Sequence, residues 1–144
     1  MKRCLAFSAA MFLFSSPALS QSYDLLTRAQ SGDIYALLMM GDMFAAGEEV
    51  SQDYVEAVYW YRQAAKRGTA KAQLSLGFLY SQGQGVQQDK EIAYQWVSVE
   101  AAQGANEAIE ARDLIGGQLD AEALGRAQQL ATRCLESKYS QCKE

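Results

Sequence analysis

Residues 72–104, AQLSLGFLYSQGQGVQQDKEIAYQWVSVEAAQG, decide the fold, because residues 36–68, ALLMMGDMFAAGEEVSQDYVEAVYWYRQAAKRG, repeat them at an offset of 36. Ala36 pairs with Ala72, Leu38 with Leu74, Gly41 with Gly77, Phe44 with Tyr80 and Gly47 with Gly83. Further on, Val50 pairs with Val86, Asp53 with Asp89, Ala57 with Ala93, Trp60 with Trp96 and Gly68 with Gly104. The period reaches back to Ala29 and Gly32 and forward to Ala108. A fixed period of this size marks a stacked repeat, in which each unit buries its apolar face against its neighbours.

The apolar spacing inside one copy is helical. Ala36, Met40, Met43 and Phe44 fall on one stripe, as do Ala57, Trp60 and Ala64. No stretch alternates with period two, so no strands are expected. The loops GEEVSQ and GQGVQQ divide each copy into two helices. Asp53 is the expected N-cap of the second helix, with Glu56 completing a capping box; in the next copy Asp89 caps alone. Lys66 and Arg67 suit the negative end of a helix dipole, and Gly68 and Gly104 then end their helices. Helices are predicted over about 33–46, 53–67, 69–81, 89–103 and 105–115, and from an Asp120 cap to about Glu136, after a leading half-unit at 23–31. Small residues let helices approach, and Trp60 and Trp96 fill the wider gaps between them. The third copy decays after Ala108, as a closing unit should.

Outside the repeats, Lys2 and Arg3, the apolar run Leu5–Phe14 and the small-residue site Ala18-Leu19-Ser20 have the layout of a secretory signal peptide. The run is about half what a membrane-spanning helix needs. The expected domains are 1–20 signal peptide, 21–136 repeat domain and 137–144 tail. Within the domain the repeats take 33–68 and 69–104 and the closing helices 105–136. Cys4 leaves with the leader. The remaining pair, Cys134 and Cys142, is expected to form a disulfide in an oxidising compartment. Eight positions on a continuous helix span about 12 Å, too far for a bond, so the last helix is predicted to end near Ser137 and the tail to fold back.

The motif Ala72…Leu76-Gly77-Phe78-Leu79-Tyr80…Gly83-Gln84-Gly85-Val86…Asp89…Trp96…Gly104 resembles a Sel1-like repeat, a relative of the tetratricopeptide helix pairs. The first copy departs at Met40, Phe44 and Glu49, the last standing where the second loop glycine is Gly85. The resemblance implies an α-solenoid of antiparallel helix pairs used as an exported, protein-binding scaffold or adaptor. It also carries an alternative, a hydrolase of β-lactamase or penicillin-binding type, linked to members with a cysteine pair in each repeat. These repeats contain no cysteine, and no S-x-x-K nucleophile motif is expected.

Composition narrows the chemistry. There is no histidine, which removes Ser-His-Asp and Cys-His catalysis and His-ligated zinc. A net charge of −4, or about −6 without Lys2 and Arg3, argues against nucleic acid as partner. The acids fall at caps and on polar faces rather than as a catalytic pair. Cys134 and Cys142 are far from C-x-x-C redox spacing. No catalytic residue, metal site or cofactor is expected, and no stable membrane insertion after leader removal. A protein partner in the periplasm or outside the cell is expected instead. Met39, off the packing stripe, and Tyr59, beside Trp60, are the candidate contact residues.

Overall fold

The computed structural model describes residues 17–144. Lys2, Arg3 and the apolar run of the expected leader lie outside the described residues. Seven helices are present among those described: α1 Pro17–Gln30, α2 Ile34–Ala46, α3 Tyr54–Ala65, α4 Ala70–Gln82, α5 Lys90–Ala101, α6 Asn106–Gly116 and α7 Ala121–Glu136. None is long and apolar enough to cross a membrane. Each boundary follows a local signal. Asp33, Asp53, Asp89 and Asp120 cap α2, α3, α5 and α7 by accepting backbone N–H groups of the first turn. Gly47 and Gly83 close α2 and α4 in the left-handed conformation, at φ 73° and 69°.

One expected device is absent. Glu56 does not complete a capping box, because the Asp53 N–H it would accept from is already donated to the Phe44 carbonyl at 2.9 Å. Asp89 repeats this bond to the Tyr80 carbonyl at 3.0 Å. The interhelical loop is therefore tied to its own first helix in both copies. Gln52 and Gln88, again 36 apart, add a second tie. Their Nε2 groups donate to Ala45 O at 2.8 Å and Ser81 O at 2.7 Å.

Packing follows the period. α2 lies on α3 and α4 on α5, with α3 against α4 and α5 against α6 joining successive pairs. The core is rich in alanine, with Ala36, Ala57, Ala64, Ala65, Ala72 and Ala93 fully buried, and Trp60 and Trp96 are buried in corresponding places. Gly41 and Gly77 are needed for close approach. A Cβ on Gly41 would stand 2.5 Å from the Tyr61 ring, and one on Gly77 would collide with Val97. Tyr61 and Val97 are themselves 36 apart.

The third unit breaks the pattern. α7 packs on α5 rather than pairing with α6. Its stripe Ala123, Ala127, Ala131 and Cys134 is buried, so the helix closes the α5 side of the stack. α7 stops at Glu136, and Lys138 and Tyr139 turn the chain through positive φ, 50° and 70°. The fold-back brings Cys142 to Cys134, with Cα atoms 4.4 Å apart and the disulfide formed.

Candidate partner-binding surfaces

Asp42 on α2, Phe78 on α4 and Leu114 on α6 occupy one register position, each 36 residues from the next. The Lys71 ammonium on α4 lies 2.6 Å from Asp42 Oδ2 on α2, so these two helix faces adjoin. Tyr35 lies two turns before Asp42, and Phe78 two turns after Lys71, so both share that surface. Tyr35 is 62% exposed, Phe78 38% and Leu114 66%. One repeat position is thus apolar and open to solvent in two successive units, at Phe78 and Leu114, an arrangement that packing of this chain alone does not require.

Asp42 is doubly engaged. Its Oδ1 accepts the Tyr61 hydroxyl at 2.7 Å while Oδ2 meets Lys71. Burial, and then the hydrogen bond to Asp42, push the Tyr61 hydroxyl above the ordinary tyrosine range, so it stays a donor. Through Asp42 the trio links α2 to both α3 and α4.

The two contact residues expected from sequence lie in different depressions. Met39 and Met43 line a groove of about 580 Å³ with Leu25, Asp24 and Arg28 of α1 and the Glu48-Glu49 loop. Met43 is only half-buried, so it belongs partly to this groove and not wholly to the core stripe assigned to it. Arg28 is held by Asp33 at 2.8 Å. Asp33 in turn sits below the usual carboxylate range because it accepts the Ala36 N–H and the Arg28 guanidinium. Tyr59 borders a smaller notch of about 180 Å³ with Trp60, Gln30, Gln63 and Arg67. It is 53% exposed and stands edge-on to the Trp60 ring, centroids 5.0 Å apart.

Glu49 takes φ 63° where Gly85 takes φ 70°, so the first loop forces a side-chain-bearing residue into the left-handed region. The reason glycine is dispensable there is steric. A Cβ on Gly85 would collide with the backbone at Tyr54, where the second loop rests on the start of α3. The first loop instead borders the open groove beside α1.

The hydrolase reading meets one sequence feature outside the repeats. Ser140-Gln141-Cys142-Lys143 spells S-x-x-K, against the expectation that this motif is absent. The tail does not form a Ser–Lys pair. Ser140 Oγ donates to Ser137 O at 2.8 Å, Cys142 is in the disulfide, and Lys143 Nζ is 3.9 Å from Asp89.

The repeat geometry now has a match. The Sel1 repeat model fits residues 34–69 and 70–98. The chain carries two Sel1 repeats. Repeats of this family generally mediate contacts between proteins. A chain of similar shape is a protective antigen present in uropathogenic Escherichia coli strains and displays an SLR fold. It is 27% identical, with a TM-score of 0.75 over 81% of this chain, and this chain spans 26% of its length. A Sel1 repeat protein from Oxalobacter formigenes is 26% identical, with a TM-score of 0.53, covering 76% of this chain and 98% of its own. No curated protein matches the sequence.

Proposed function

We propose that this Sel1-repeat chain is an exported scaffold that holds a protein partner and performs no catalysis of its own. The observation that carries the reading is the exposure of Phe78 and Leu114 at one repeat position, on α4 and α6, with Tyr35 exposed on α2. Aromatic and aliphatic anchors of this size, with the Asp42–Lys71 ion pair between Tyr35 and Phe78, supply the apolar and charged contacts of a protein interface. Export rests on the leader-like residues 1–20 and on a cysteine pair suited to an oxidising compartment. A neighbour that is a protective antigen fits a protein met outside the cytoplasm.

The test places a photo-crosslinking residue at Phe78 in the full precursor and follows both maturation and adducts. The expected result is a mature chain beginning near Gln21 with one discrete protein adduct. A chain that retains Met1 in the membrane fraction contradicts export, and the absence of any adduct at Phe78 contradicts the assigned surface.

A further inference from the structure

The C-terminal tail is held in a way that chain closure alone does not need. Gln95 on α5 is fully buried. Its Nε2 donates to the Lys143 carbonyl at 3.1 Å, and its Oε1 accepts the Lys143 N–H at 2.8 Å. One side-chain amide thus satisfies both main-chain groups of a single tail residue. Such a clamp reads peptide backbone without regard to the side chain it carries.

Two charged contacts flank the clamp. The next residue, Glu144, forms an ion pair with Lys66 at the end of α3. The Lys143 ammonium leans toward Asp89, 3.9 Å away. Upstream, the Tyr139 ring covers Gly68. In the first repeat the position matching Gln95 is Tyr59, which is left exposed. The covered surface therefore joins Gln95 of the second repeat to Lys66 and Gly68 at the end of the first, and its cover is a short segment of basic-then-acidic character.

We infer that the surface floored by Gln95 and bounded by Lys66 and Asp89 is a binding site for an extended peptide segment of a partner, with a basic residue at the clamped position and an acidic one after it. In this structure the chain's own tail, residues 141–144, fills the site in cis, and the Cys134–Cys142 bond latches it there. A tethered segment acts at an effective concentration of order millimolar, so a free peptide competes only once the latch and clamp are weakened. The site is separate from the α2–α4–α6 face and does not depend on the function proposed for that face.

The test uses the full chain carrying Cys142→Ser and Lys143→Pro. Proline has no N–H to give Gln95, so the tail loses its clamp while every residue of the site remains. The probe is a fluorescent peptide of residues 139–144 with serine in place of cysteine. Saturable binding is expected, at least about tenfold tighter than to the oxidised parent. Adding Gln95→Leu should weaken it at least tenfold and Lys66→Ala severalfold. Phe78→Asp should leave it unchanged, which separates this site from the other face. Because Gln95→Leu alters a buried position, amide exchange provides a second readout. The Lys143 amide should exchange at least tenfold faster in Cys142→Ser than in the parent. No peptide binding to the unlatched chain, binding indifferent to Gln95, or Lys143 exchange unchanged by Cys142→Ser would each overturn the inference.

Discussion

The two repeats share a skeleton and differ in what they do with it. Both are closed by left-handed glycines, capped by aspartate, tied by glutamine from loop to helix and filled by tryptophan. Yet Asp42 and Tyr61 give the first repeat a polar seam where Phe78 and Val97 make the second apolar. Glu49 borders an open groove where Gly85 is pressed on the α3 backbone. Ala64 is fully buried where Glu100 stands. The shared positions build the stack, and the differing ones decide what each level shows to a partner or costs in stability.

Replacing the tryptophans gives the largest expected effect. Trp96 is fully buried on α5, the helix that packs against α4, α6 and α7, whereas Trp60 on α3 retains 7% exposure. Each truncation to alanine should cost about 3–5 kcal/mol, with Trp96→Ala the worse. Thermal melts of the two variants should separate in that order. Equal losses would mean that the two levels are packed alike.

Exchanging the loop residues sharpens the comparison. Gly85→Glu, which copies the first loop into the second, forces a side chain against the Tyr54 backbone and should cost at least about 1–3 kcal/mol. Glu49→Gly relieves a left-handed non-glycine residue and should be neutral or stabilising by up to about 1 kcal/mol. Denaturant midpoints measure both. A mild Gly85→Glu would show that the second loop does not rest on α3 as described.

Much of this was legible because its cause is local. A cap needs only Asp at the right offset, and a repeat needs only matching positions, so α2 to α5 were readable from Asp53, Asp89, Gly68, Trp60 and Trp96. The fold-back after Glu136 followed from the reach of a disulfide. The destination of α7 was not readable. Its alanine stripe says that one face is buried but not which helix buries it, and the partner is α5. The Gln95–Lys143 clamp joins residues 48 positions apart, beyond any periodic signal. Gln52 and Gln88 could have been found, since they obey the same period as the tryptophans. The Glu56 box failed because the backbone donor it needed was spent on Phe44. On the candidate surface, Tyr59 was correctly placed outside the core, but Phe78 and Leu114 were passed over because the motif makes no demand on them.

The smallest effect concerns Glu100. Burial raises its carboxyl above the usual glutamate range, and Gln103 Nε2 is its hydrogen-bond donor at 3.2 Å. The folded chain therefore holds this proton more tightly than the unfolded chain. Stability falls as pH rises from the ordinary glutamate value through the raised one, then levels off. Glu100→Gln should raise the melting temperature at neutral pH and make no difference in acid. A gain independent of pH would assign the effect to packing rather than charge.

The central claim is that the repeat surface of α2, α4 and α6 holds a protein partner. Its most direct test is Phe78→Asp combined with Leu114→Asp, both exposed, scored by crosslinking through a probe at Tyr35. The account predicts unchanged helicity and melting with at least about a tenfold loss of the adduct, as expected when interface anchors are removed. The same adduct, at the same yield, from a folded double variant would contradict it.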